Sequence, residues 1–227
     1  MSGGVFVTGT DTGVGKTLAA CALVHALRAR GLRVAPMKPG AAGAGPRGDG
    51  WANEDTLALI AAAGPEAPAP DEVTPVLLRE PMAPHIAAAR EGREIRLDPL
   101  LEAHRRLGAR WEFTVVEGVG GFRVPLGASL DTRDLAAALA LPVVLVVGVR
   151  LGCLNHALLT ADSVRSAGLP LAGWIANSID PAMAVADENV AALEELLPAP
   201  LLARLPWSPG ASPADLAGLL DAAPLLR

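Results

Sequence analysis

A lysine and a threonine that follow a glycine-rich turn, Gly9-Thr10-Asp11-Thr12-Gly13-Val14-Gly15-Lys16-Thr17, have the types and spacing to hold a chain of phosphates. Such a ligand asks for converging backbone N–H groups, a helix N-terminus aimed at the anion, a lysine that reaches the outer phosphates and a hydroxyl beside Mg2+. Gly13 and Gly15 allow close backbone approach, Lys16 supplies the cation and Thr17 the hydroxyl. The loop is a variant, because Thr10 stands where the common pattern has its first glycine, with Gly9 one position earlier. A Gly-Lys-Thr triplet by itself also occurs in ordinary glycine turns before helices. Here the apolar Val5-Phe6-Val7 precedes it and the helical stretch Leu18 to Leu27 follows, which is the order a phosphate cradle needs.

Three more residues carry charge to places where it can act. Lys38, in Met37-Lys38-Pro39-Gly40, ends an apolar run, and two cations beside a transferring phosphoryl group would stabilise its developing charge. Glu117 ends Val115-Val116 as the acid of a Walker-B-like element does, where it can hold magnesium directly or through water; such a carboxylate can also simply cap the next loop. Asp55, after Asn53 and Glu54, reads from its neighbours alone as a first-turn acid favoured by the helix dipole. The two cysteines, Cys21 and Cys153, make neither a disulfide framework nor a metal site, and the four histidines lack the paired spacing of zinc ligands.

The elements that must position these groups form an alternation. Apolar strands are expected at Val5 to Val7, Arg33 to Met37, Phe113 to Val116, Val143 to Val147, Leu171 to Ala176 and Leu201 to Leu205, with alanine- and leucine-rich stretches of helical length between most of them. Continuous runs such as Val143-Val144-Leu145-Val146-Val147 fit strands buried on both faces. The sequence therefore predicts an α/β fold: a mostly parallel sheet with helices on both faces, its ligands at the carboxyl ends of the strands. Lys38, Glu117, Gly152 to Asn155, Asn177 and Pro206-Trp207 all fall at or just past such ends. Gly40 to Gly50 is expected to be a mobile loop and Gly64 to Pro70 a proline-rich connection.

At 227 residues, 51% of them hydrophobic, the chain is expected to form a single domain over residues 1–227. A formal charge of −5 with no run of Lys or Arg offers no electrostatic footprint for nucleic acid or an anionic membrane. The longest apolar stretch, Leu135 to Val149, is short for a membrane span and is interrupted by Pro142, so a helix followed by a strand is expected there. With no basic segment or cleavage site ahead of the first strand, a cytoplasmic protein is expected.

Taken together the motifs resemble the dethiobiotin synthetase family. The likeness runs through Phe6-Val7-Thr8-Gly9-Thr10-Asp11-Thr12 with Val14-Gly15-Lys16-Thr17, Lys38-Pro39, Glu80-Pro81 with Pro84-His85-Ile86, and Val116-Glu117-Gly118 with Gly120-Gly121. It continues through Leu141-Pro142-Val143, Leu151-Gly152-Cys153 with Asn155-His156, Leu171-Ala172-Gly173-Trp174 and Pro206-Trp207, and fades over the last twenty residues. What it implies is a P-loop NTPase-like homodimer that converts 7,8-diaminopelargonic acid, CO2 and Mg-ATP to dethiobiotin, ADP and phosphate.

By that resemblance Gly13, Val14, Gly15, Lys16, Thr17 and Leu18 hold the nucleotide, and Lys16 and Lys38 neutralise the phosphoryl group and a carbamate. Thr17, Asp55 and Glu117 surround Mg2+, which replaces the plainer account of Asp55. Thr12 and the backbone of Glu117, Gly118, Val119 and Gly120 face substrate and phosphate. Asn177 reads adenine with Ser178 beside it, and Pro206, Trp207 and Ser208 line the base. Gly152, Cys153, Leu154 and Asn155 of a second subunit take the substrate carboxylate, so the site spans a dimer interface.

Two positions depart from the family pattern: Ala42 stands where many members have serine or threonine, and Gly13 where some have glutamate. The Ala42 change puts one substrate hydrogen bond in doubt. The alternative is a nucleotide-switch P-loop ATPase acting on a protein partner. Such proteins often carry a second lysine at the place of Asp11, which weighs against it.

Overall fold

A computed structural model describes residues 3–226. Its centre is a six-stranded sheet in which every neighbouring pair is parallel. In chain order the strands are β1 (Gly3–Gly9), β2 (Val34–Met37), β3 (Phe113–Glu117), β4 (Val143–Val149), β5 (Leu171–Ser178) and β6 (Leu201–Leu205). In space they lie β6-β5-β4-β1-β3-β2. The helices longer than a single turn are α1 (Lys16–Ala29), α2 (Glu54–Ala63), α3 (Pro84–Arg90), α4 (Leu97–Gly108), α5 (Thr132–Leu139), α6 (Cys153–Ser166) and α7 (Ala186–Leu196).

The period of two along each strand divides the core. Val5, Val7, Val115, Val144 and Val146 face α1 and α2, in a cluster completed by Leu216, Leu220 and Leu225 from the end of the chain. Phe6, Val116 and Val143 point the other way, against residues of α4 and α5. Leu145, Val147 and Trp174 pack on α6 and α7. Every residue of β4 is buried, as its unbroken Val/Leu run requires. Each strand expected from the sequence is present, its ends within two residues of the expected ones. The run from Leu135 to Val149 is helix then strand, and among the described residues no helix is long and apolar enough to cross a membrane.

The segment 40–50 carries more order than its composition suggests. Gly40–Ala41 pairs in parallel with Val76–Leu77, and Gly45–Arg47 forms a hairpin with Gly50–Ala52 across the two-residue connection Gly48-Asp49. Backbone hydrogen bonding, which composition does not register, organises the glycines there. The Gly64 to Pro70 connection holds one 3-10 turn, Gly64–Glu66.

Candidate active site

The central strand β1 lies between β3 and β4, so three carboxyl ends meet where the glycine-rich loop begins. That loop is sewn to β4: Thr10 N–H donates to the Val146 carbonyl at 3.0 Å, and the Thr10 hydroxyl accepts from Gly148 N–H at 3.4 Å. Thr10 thus supplies an acceptor that the glycine of the common loop lacks. A Cβ on Gly148 would stand 2.8 Å from Val14 Cγ1 and 2.6 Å from Ile179 Cδ1, so any side chain there would force those two residues to shift. Gly15 caps α1 with φ 83°, a left-handed conformation, and a Cβ on it would lie 2.1 Å from Asn177 Nδ2. Asn177 closes the arrangement by donating from Nδ2 to the Val14 carbonyl at 2.9 Å.

Two buried lysines converge here. Lys16, 7% exposed, turns its Nζ back to the Asp11 carbonyl at 2.8 Å. Lys38, 3% exposed, donates to Glu117 Oε1 at 2.5 Å, Asp55 Oδ2 at 2.9 Å and the Gly118 carbonyl at 3.3 Å. Thr17 Oγ1 lies 2.9 Å from Asp55 Oδ1 and 2.8 Å from Glu117 Oε1 and has one hydrogen to share between them. Glu117 Oε2 is buried without a partner. A hydroxyl and two carboxylates, one of them with its orphaned buried oxygen, form a hard-oxygen donor set that fits Mg2+.

The electrostatics separate the two cations. Burial lowers the Lys16 ammonium to about 8, against the pull of Glu117 and with the push of Lys38. For Lys38 burial acts in the same direction, but Glu117 and Asp55 outweigh it and hold the ammonium above its usual range. Burial would raise Asp55, and Lys38 overcomes it to hold the carboxyl low. Complete burial pushes Glu117 up. Cys21, in α1 behind these groups, is pushed up to about 12 by burial, so its thiol is inert at neutral pH.

These side chains floor a cavity of about 730 Å3 that also touches Thr12, Gly13, Gly15, Val119 and Gly120. One wall is apolar: Ala41, Ala42, Pro81 to Pro84 and Val124. No chemical signal in the sequence marks the Pro81 to Pro84 wall, although its Glu80-Pro81 and Pro84-His85 pairs belong to the resemblance; it is a few apolar residues leading into α3. Val14 is buried beneath the loop, Leu18 packs on the core, and Gly118 is buried at the end of β3. Ala42 offers only a methyl group, and its carbonyl accepts from Asn53 Nδ2 at 3.1 Å. Gly152, Leu154 and Asn155 lie outside this cavity at the start of α6, with Cys153 buried among them. Ser178 ends β5, and Pro206, Trp207 and Ser208 are exposed beyond β6, also outside the cavity.

Residues 3–215 match the family model described as an AAA domain. The fold is similar to that of the septum site-determining protein MinD of Pyrococcus horikoshii OT3, complexed with Mg-ADP, at 19% identity and TM-score 0.57 over 97% of this chain and 87% of that one. It is also similar to a ParA family ATPase of Chlorobium tepidum TLS, at 16% identity and TM-score 0.56 over 100% and 90%. The signal recognition particle receptor FtsY of Elizabethkingia anophelis, in complex with GDP, matches at 13% identity and TM-score 0.53 over 95% of this chain. The chain spans 59% of that receptor's length and 61% of chloroplast FtsY from Physcomitrella patens.

Proposed function

Because the chain belongs to the AAA domain family and has a P-loop NTPase-type fold, we propose that it is an ATP-dependent dethiobiotin synthase acting on 7,8-diaminopelargonic acid and CO2. The observation that carries this reading is the two-sided cavity: Lys16, Lys38, Asp55 and Glu117 on its floor and an apolar wall from Pro81 to Pro84 beside them. A nucleotide alone needs the floor. The wall suits the hydrocarbon chain of a second, small substrate whose amines meet the phosphate side.

In this reading one amine takes up CO2 as a carbamate, losing a proton. A carbamate oxygen attacks the γ-phosphorus and ADP leaves; the second amine then attacks the carbamoyl carbon and gives up a proton, phosphate leaves and the cyclic urea closes. Lys38, fixed by two carboxylates, holds one positive charge at the carbamate and the transferring phosphoryl group. Lys16 leaves the Asp11 carbonyl for the outer phosphates, and the amides from Gly13 to Leu18 receive the rest. Thr17, Asp55 and Glu117 would hold Mg2+, which neutralises phosphate oxygens when bound with ATP. Asn177, its amide N–H engaged by Val14, keeps its carboxamide oxygen for the base amino group, with Ser178 and Pro206 to Ser208 flanking the base.

Gly152 to Asn155 sit apart from their own cavity on an end of α6 whose neighbourhood exposes Leu151 (87%), Leu159 (61%) and Val185 (48%). That placement suits a homodimer in which they take the carboxylate of the substrate bound by the other copy. A single domain in the cytoplasm, without nucleic-acid or membrane partners, completes the reading.

The test is phosphate release by the purified protein with Mg-ATP and bicarbonate, with and without the diamine, and dethiobiotin followed by mass. Diamine-dependent phosphate equal to dethiobiotin supports the assignment. Nucleotide binding without diamine-dependent turnover overturns it and favours a nucleotide switch acting on a protein partner.

A further inference from the structure

Asp11 is the meeting point of three contacts. Its carbonyl holds Lys16 Nζ at 2.8 Å, its Oδ1 accepts from Thr12 N–H at 2.7 Å, and its Oδ2 accepts from Arg150 at 2.6 Å. Arg150 is held at its other end too, since its carbonyl accepts the N–H of Cys153, the first residue of α6, at 3.0 Å. Three hydrogen bonds, joined through the covalent frames of Asp11 and Arg150, therefore link the phosphate-loop lysine to the turn that starts α6. Both side chains of the pair are about half exposed, at 41% and 47%, and such pairs contribute little to folding. Its geometry is nevertheless directed, because each carboxylate oxygen has its own donor: Oδ1 takes the Thr12 amide and Oδ2 takes one Arg150 N–H.

We propose that Arg150 is a positioning residue that ties the phosphate loop to residues 151–157, so that filling the loop with a nucleotide is felt at the N-terminal turn of α6. When Lys16 turns from the Asp11 carbonyl to a phosphate, the contact at one end of this link is exchanged, and Asp11 passes the change to Arg150 and the α6 turn. The inference rests on the phosphate-loop part of the reading above and not on the identity of the second substrate. In a dimer of the kind proposed, the turn that responds serves the neighbouring copy, and the pair would connect one nucleotide site to the other substrate site.

The experiment is amide hydrogen exchange on the full chain with and without MgADP, in the wild type and in Arg150→Met, Asp11→Asn and Arg150→Lys, with MgADP affinity from calorimetry. In the wild type MgADP slows exchange both at 12–18 and, by about fivefold or more, at 151–157. In Arg150→Met and Asp11→Asn protection at 151–157 is lost while that at 12–18 persists, and in Arg150→Met the affinity changes by less than about fivefold. Arg150→Lys, which keeps a charge but not the fork, restores part of it. Equal protection at 151–157 in wild type and Arg150→Met, or none in a wild type that binds MgADP, overturns the proposal. A wild type that does not bind MgADP overturns it together with the nucleotide assignment, whereas absence of dethiobiotin formation alone leaves it standing.

Discussion

Removing the Lys38 ammonium would leave Glu117 and Asp55 facing one another with no cation between them. Lys38→Ala is therefore expected to lower turnover by about 10²- to 10³-fold, the scale of losing one preorganised electrostatic contact, with ATP affinity held within a few-fold. Urea unfolding of the same variant should show a loss of about 3–5 kcal/mol, the cost of an uncompensated buried charge. Lys16 gives a pH prediction whose sign follows from its lowered value of about 8. A bound polyphosphate raises that value again, so binding takes up a proton once the free lysine has lost its own. Nucleotide affinity is then full below pH 8 and falls as pH rises through it, by up to about tenfold per unit. Calorimetry in buffers of different ionisation enthalpy reads this uptake, which disappears in Lys16→Met. Ala42→Ser should leave turnover nearly unchanged or tighten diamine binding by about 0.5–1.5 kcal/mol, one neutral hydrogen bond; a collapse of activity would mean the loop is built differently. Asp55 shows what single residues conceal: Asn53 Oδ1 does cap its N–H at 3.0 Å, as a first-turn acid invites, yet its carboxylate turns to Lys38. That lysine is 17 positions away, and only the tertiary fold brings it there.

At the scale of elements, the strands were legible because a strand buried on both faces must be apolar at consecutive positions, and β4 and β5 are. The phosphate loop was legible because its chemistry is local. The Pro81 to Pro84 wall and the pairing of Gly40–Ala41 with Val76–Leu77 were not, since nothing local to Pro81 or Gly40 encodes the partner it meets. Gly148 belongs to this scale as well: it sits in a strand, yet its bare Cα is what lets Val14 seat the phosphate loop. Gly148→Ala should destabilise the fold by about 1–3 kcal/mol in urea titration, as overpacking does, and weaken MgADP binding because the loop must shift to accept the methyl group. An unchanged midpoint and affinity would show that Val14 and Ile179 can move aside.

For the whole molecule, the homodimer proposed above would draw on the exposed apolar residues around the start of α6 and the loop before α7. If Leu151, Leu159 and Val185 form the contact, light scattering on the eluted protein should give two copies, and Leu151→Asp with Leu159→Asp should give one, with diamine affinity lost more than nucleotide affinity. A wild type that elutes as one copy removes the shared site. The order of strands has a different consequence, in time rather than in space. Thr17 meets Glu117 across 100 positions of chain, and Val14 meets Asn177 across 163. A growing chain that already exposes the complete glycine-rich loop still lacks both of its flanking strands. Until β3, β4 and β5 have emerged from the ribosome, β1 waits as an unpaired apolar segment, so nucleotide binding arrives late in synthesis and the early strand needs shelter until then.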